Sequence, residues 1–329
     1  MFHRALFIQN FQQTKFIVVI LFVLFAIQLP FQAFLSIENW RTQPISSIQQ
    51  QHQFYLFEVF STGVMTFLII MSLVFLAALL IGIERNTRRN DFTFSLPFSR
   101  KDLFLAKWMY GAIIITIFHA LHFTLAYFII WQSEFRFILE HGTFTEIFFG
   151  PFLAYLLFYS FALFIGTITG EMISQVVLTF IFAGFPYGFY LLILAMVDVH
   201  FQAIIDPINW VMKITLFYYT IAHMTPGYDI IIPLFGVLIL PLFGALLYER
   251  NKVEHNGEFL IFKQLNPIFL MGITVCFSLL GGILVSSIAP WNSEFIRIFA
   301  YWTGFLLFAC FSYLLSKKIL KMNVIVKNK

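Results

Sequence analysis

Eight long apolar runs dominate the chain. They cover roughly residues 16–35, 62–83, 108–131, 148–170, 176–197, 230–248, 267–289 and 298–316. Each is close to the ~20 residues that cross the hydrocarbon layer of a bilayer as a helix. A soluble core cannot absorb them. Of the 329 residues, 60% are hydrophobic and 11% charged, against about 45–50% and about 25% in soluble domains. In hydrocarbon every backbone N–H and C=O needs an internal partner, so the runs are expected to be helices. A β-barrel would show alternating strands of about ten residues, whereas these runs are apolar on all faces. The expected fold class is all-α, a polytopic transmembrane bundle of about eight spans. The first run is expected to be a retained helix: Gln28, Pro30 and Gln32 stand where small residues would mark a cleavage site.

Lys and Arg set the expected orientation. With the N-terminus inside, about 16 of the 20 basic residues fall on inner segments. The outer segments hold only Arg41, Arg136, Lys213 and Arg297. The positive-inside rule therefore favours N-in and C-in. The sequence pI near 9 reflects this clustering at span ends, so nucleic acid is not an expected partner. Cys276 and Cys310 lie in apolar runs and read as small core residues.

Four connecting or terminal stretches carry expectations. The first fifteen residues are mildly amphipathic, with Phe2, Leu6 and Phe11 on one face; an interfacial helix is one reading and a short tail the other. Residues 36–61 form an outer connection with a Gln-rich tract. Residues 198–229 form another, in which Asp206 can cap a helix, Pro207 suits its first turn, and Ile208, Val211, Ile214, Phe217 and Ile221 recur at helical spacing. A short interfacial or re-entrant outer helix is expected there, with an ordinary outer loop as the alternative. Glu171, between the fourth and fifth spans, is expected at the inner headgroup level, hydrated.

Motifs for chemistry are missing. The sequence holds no P-loop, no HExxH, no CxxC and no GxSxG elbow. The span centres are almost free of Asp, Glu, Lys and Arg, which ion-coupled carriers and intramembrane hydrolases use.

The informative segment is the strongly basic connection from Glu84 to Lys107. It reads Glu84-Arg85-Asn86-Thr87-Arg88-Arg89-Asn90-Asp91-Phe92-Thr93-Phe94-Ser95-Leu96-Pro97-Phe98-Ser99-Arg100-Lys101, with Lys107 at the mouth of the third span. Residues 87–95 can form a short surface helix that Pro97 ends. Such a helix, flanked by two spans, could pass a push from a cytosolic partner into the bundle; an ordinary positive-inside loop is the alternative. The segment resembles the signature of ABC-2-type permeases, the membrane subunits of one class of ATP-binding-cassette exporters. That signature runs roughly E-R-x-x-G-T-x-E-x-L-L-S-L-P-x-S-R, with a Lys near the start of the third span. The match is at Glu84, Arg85, Ser95, Leu96, Pro97, Ser99, Arg100 and Lys107, with Asp91 at the second acid. Arg88-Arg89 stand where the pattern has Gly-Thr.

The resemblance implies a six-span permease core over residues 1–248, with an N-terminal interfacial helix, a cytosolic coupling helix and a re-entrant outer segment. Residues 249–329 would be an added two-span hairpin with a basic tail. Its inner linker, from Tyr248 through Glu258 to Lys263, resembles a stretch of some eight-span bacterial permeases. It reads either as a second contact surface or as a solvated linker. By the resemblance, Glu84, Arg85, Arg88, Arg89, Asp91, Ser95, Leu96, Pro97, Ser99, Arg100, Lys101 and Lys107 would lie at or near the surface that docks on a separate P-loop ATPase. A second permease, a copy or a relative, would complete the pathway. The chain itself would be no enzyme and hold no cofactor, ATP and Mg being bound by the partner.

His119 and His122, three apart, share one face of the third span. They read as a substrate contact or pH-sensitive point, or as neutral histidines bonded to neighbouring helices; no further metal ligands accompany them. Gly166/Gly170 and Gly184/Gly188 permit close helix approach, at a dimer seam or within the chain. The overall expectation is the permease subunit of an ATP-driven exporter in a bacterial plasma membrane. The alternatives are a stand-alone secondary transporter and a membrane scaffold or sensor.

Overall fold

The computed structural model describes residues 4–60, 63–87, 93, 95, 97–203, 205–220, 230–290 and 292–320, with the main chain alone at His141 and Val253. Eight helices among the described residues are long and apolar enough to cross a membrane. Among the described residues there is no strand; a single isolated bridge pairs Thr169 with Leu260.

The first span begins at once. Helix α1 (Arg4–Ala26) runs unbroken from residue 4, so residues 4–15 are its opening turns and not a separate surface helix, while Phe2 lies outside the described residues. The reason is a stripe of buried side chains, Leu6, Asn10, Thr14, Ile17, Leu21 and Phe25, spaced at three and four. A π turn (Ile27–Phe31) contains Pro30, whose missing N–H disturbs the helical ladder. Helix α2 (Gln32–Arg41) follows.

Residues 36–60 depart from the expected loop. They continue α2 and add α3 (Ile45–Gln50) and α4 (His52–Phe60). Trp40, Ile48, Leu56 and Phe60 are buried here, and the Trp40 ring meets Tyr55 at 6.0 Å and Phe135 at 5.5 Å. The Gln-rich tract merely covers the wet side of this small aromatic cap. At Gly63, φ is +105°, a conformation that glycine adopts without strain. The chain then enters α5 (Val64–Asn86).

Helix α6 (Arg100–Trp131) starts at Ser99, whose Oγ accepts from the Asp102 N–H at 3.1 Å. Helix α7 (Gly150–Ile168) has Pro151 in its first turn and is buried along nearly its whole length; a helix apolar on all sides belongs at a bundle centre. Helix α8 (Met172–Phe201) lies outside it. The outer helix expected from Asp206 is shorter: Ile208 occupies its N-cap, α9 spans Asn209–Lys213, and a 3-10 turn covers Leu216–Thr220. Phe217 packs on Phe158 and Phe180, 5.5 and 6.4 Å between ring centres. A Cβ on Gly184 would stand 3.2 Å from the Phe217 ring. Gly184 is near the middle of α8, so this segment turns back into the bundle to mid-span depth.

Helix α10 (Ile231–Glu249) completes the core. Helices α11 (Asn266–Ser286) and α12 (Glu294–Ile319) form a hairpin that rests on α8. Their backbones touch: a Cβ on Gly304 would lie 2.3 Å from the Gly281 carbonyl oxygen. Small residues at such crossings let helices gain dispersion contacts in lipid. Cys310 on α12 is exposed on the bundle surface, and not a core residue as expected; Cys276 is half-buried.

Candidate coupling face

Four helices meet at the basic end of the bundle. Glu84 and Arg85 close α5, Lys107 lies two turns into α6, Gly166 ends α7, and Tyr248 ends α10. The Lys107 Nζ sits 2.6 Å from Glu84 Oε1, with both side chains almost sealed from solvent. Lys107 also donates to the Leu80 carbonyl. The Arg85 guanidinium, also buried, donates to the carbonyls of Gly166 and Thr169. Tyr159 donates from its hydroxyl to the Lys107 carbonyl at 2.7 Å, and Trp108 Nε1 donates to Ser160 Oγ at 2.8 Å. Charges this deep are tolerated only when paired and hydrogen-bonded. Three residues expected at a partner surface, Glu84, Arg85 and Lys107, are therefore interior ties between α5, α6 and α7. The carbonyls left free at the end of α7 provide the reason.

The exposed part of the segment lies just beyond these ties. Thr87, Ser95, Pro97 and Ser99 are exposed, while Thr93 is buried. Thr93 and Ser95 are helical. Arg88, Arg89, Asp91 and Leu96 lie outside the described residues. Arg100 Nη1 donates to the carbonyls of Asn251 at 2.6 Å and Glu249 at 3.4 Å. Lys101 pairs with Glu249 at 2.9 Å. Arg100 and Lys101 thus fasten the start of α6 to the end of α10.

The linker after α10 is held as well. Gly257 N–H donates to the Gly170 carbonyl at 2.8 Å and Ile261 N–H to the Ile168 carbonyl at 2.9 Å. A Cβ on Gly170 would stand 2.4 Å from the Glu258 carbonyl oxygen, so only glycine lets the two backbones approach this closely. Glu171 sits beneath this strap, 5% exposed and not hydrated as expected; Ser174 Oγ donates to it at 3.3 Å. Burial raises the Glu171 carboxyl above its usual range, and the Ser174 bond offsets part of that rise. The result is one connected polar plate across the ends of α5, α6, α7 and α10. It can transmit force; among the described residues no group of three or more His, Cys, Asp or Glu is placed to hold a metal.

His119 and His122 are enclosed. His119 Nε2 donates to the Phe148 carbonyl at 3.1 Å, and His122 Nδ1 to the Phe118 carbonyl at 2.7 Å. The His119 ring lies among Phe25, Phe123, Phe148, Phe152 and Tyr155. Phe22 stands 4.8 Å from the His122 ring. Both read here as packing residues with one satisfied nitrogen each. Of the glycine pairs, Gly166 accommodates the Gln175 side chain and Gly184 accommodates Phe217, contacts within this chain.

Sequence reasoning missed a second polar tie. Gln28 Nε2 donates to Thr66 Oγ1 at 2.8 Å, and Tyr155 donates to Gln28 Oε1 at 2.9 Å. A glutamine inside an apolar run was the available signal, since polar groups in spans face inward to a partner.

The chain is 26% identical over 210 residues to a protein of Bacillus subtilis (strain 168) named "Probable ABC transporter permease YtrD". That alignment covers 61% of this chain and 64% of the relative, so it spans less than two thirds of the relative's length. It is 23% identical over 254 residues to "Probable ABC transporter permease YtrC" of the same organism, covering 70% of this chain and 69% of that one. No family model matches the chain, and no solved structure matches it. The chain is thus an all-helical protein with eight membrane-spanning candidates, similar at a distance to two proteins named as ABC transporter permeases.

Proposed function

We propose that this chain is the membrane-spanning permease subunit of an ATP-binding-cassette exporter, of the ABC-2 type and the eight-span variety. The observation that carries the reading is the polar plate at the basic end. It joins four helix ends into one body and leaves Thr87, Ser95, Pro97 and Ser99 exposed beside it. A separate P-loop ATPase docks on that exposed face. A push there reaches α5 and α6 directly and α7 and α10 through Arg85, Arg100 and Lys101. The similarity to the two named permeases supports the same reading.

In this reading both termini face the cytosol, as the excess of Lys and Arg at the basic end favours. Residues 1–248 form the permease core, and 249–329 add a hairpin. A second permease faces this one across the pathway in a bacterial plasma membrane. ATP and Mg belong to the partner, and this chain performs no chemistry.

Affinity purification of the full chain from mildly solubilised native membranes tests the reading. A P-loop ATPase co-purifies with wild type and is depleted at least several-fold with Ser95→Trp or Pro97→Gly. Both positions are exposed, so the variants keep the wild-type melting temperature. Purification with no ATPase, in several detergents, contradicts the proposal.

A further inference from the structure

Two adjoining apolar grooves, open to the outside of the bundle, lie where the core meets the added hairpin. The larger, about 720 Å³, is walled by Phe161, Phe164, Phe182, Phe185 and Phe269 among others. The smaller, about 390 Å³, is walled by Phe185, Phe189, Pro267, Met271 and Val275 among others. Phe185 belongs to both, so the two chambers lie side by side along α8 and α11. Volumes of this size suit hydrocarbon ligands.

The larger chamber has a polar mouth and an apolar floor. Arg250 and Gln264 line it at the basic end, and Ile214 and Leu216, from the re-entrant segment, line it at depth. From Met172 to the level of Gly184 is roughly 18 Å of helix at about 1.5 Å per residue. That is about one leaflet of a ~30 Å hydrocarbon core. Arg250 pairs with no carboxylate among the described residues, although acids are near: Glu249 pairs with Lys101, and Glu258 with Lys263 and His255. An unpaired guanidinium at headgroup level recognises phosphate through paired N–H donors.

We propose that these chambers form a binding site for one anionic diacyl phospholipid of the surrounding bilayer. One acyl chain lies in each chamber, and the phosphate lies on Arg250 beside Gln264. The added hairpin then has a specific role, because α11 supplies the outer wall. Gly272 fits this picture: it lines the smaller chamber, and a Cβ there would meet no atom within 4 Å. The inference does not depend on the permease reading.

The test reconstitutes the full chain in phosphatidylcholine nanodiscs with a few per cent of a photoactivatable diacyl phosphatidylglycerol and maps labelled peptides by mass spectrometry. Labels concentrate on the peptides holding Phe182, Phe185, Phe269 and Met271. Unlabelled phosphatidylglycerol competes, and added phosphatidylcholine does not. Arg250→Ala lowers this labelling about fivefold, and Arg250→Lys keeps most of it. Gly272→Phe, whose Cβ meets no atom within 4 Å, projects a ring into the smaller chamber and removes labelling there at an unchanged melting temperature; Val275→Trp is a second filling variant if that chain expresses poorly. Labelling spread evenly over the outward faces of all spans overturns the proposal. So does equal competition by phosphatidylcholine, or unchanged labelling in Arg250→Ala.

Discussion

Lys107 on α6 and Glu84 on α5 form an ion pair 2.6 Å apart, with about 3% and 2% of their side chains exposed. Removing one partner of such a pair leaves a buried charge, at a cost of about 3–5 kcal/mol. Lys107→Met should therefore lower the melting temperature sharply in detergent. The double variant Glu84→Met/Lys107→Met should recover most of that loss, since it leaves no uncompensated charge. A double variant as unstable as the single one would mean that the pair acts through more than its charges.

The Gln28 tie should be weaker. Hydrogen bonds between membrane helices average about 0.6 kcal/mol, so Gln28→Leu, which loses bonds to Thr66 and Tyr155, should cost roughly 1 kcal/mol. Tyr155→Phe should cost about half as much. A double-mutant cycle on the two positions, read by thermal unfolding, should show coupling of the same sign.

The hairpin crossing should tolerate no added methyl. Gly304→Ala puts a Cβ against the Gly281 carbonyl, and forcing the backbones apart costs typically 1–3 kcal/mol. Gly188→Ala, which meets open space, should leave the melting temperature within experimental scatter or raise it slightly.

Glu171 makes stability depend on pH. Its folded-state carboxyl titrates above the usual value of 4.5 because it is buried. The folded protein therefore holds that proton more tightly than the unfolded chain, and stability falls as pH rises through the raised value. Glu171→Gln removes the penalty. It should melt above wild type near neutral pH, and the difference should vanish as pH drops below the unperturbed carboxyl range. A difference constant across pH would mean that the carboxyl is not the cause.

The spans were readable because lipid leaves a chain few options: an apolar run of twenty residues must be a helix, and all eight are. The connections were harder. Residues 36–61 read as a loop because Gln49, Gln50, Gln51 and Gln53 dilute an apolar pattern that Trp40, Ile48 and Leu56 complete only in three dimensions. The resemblance to the permease signature carries Glu84, Arg85 and Lys107 to a docking surface together with the rest of the segment, because a linear motif does not separate buried from exposed positions. Only the packed helix ends show that free carbonyls and an opposing carboxylate draw them inward. The re-entrant depth of Phe217 depends on the glycine at 184, a contact across 33 positions that periodicity cannot reveal.

Site-directed cross-linking tests the central claim most directly. In a background with Cys276→Ser and Cys310→Ser, a single cysteine replaces Ser95 or Pro97, and native membranes are treated with a short bifunctional thiol-to-amine reagent. The account predicts one adduct that contains a P-loop ATPase, formed from both positions and absent when the cysteine replaces exposed Ile45 in the cap at the opposite end. No ATPase adduct from Ser95 or Pro97, or an equal one from Ile45, would contradict it.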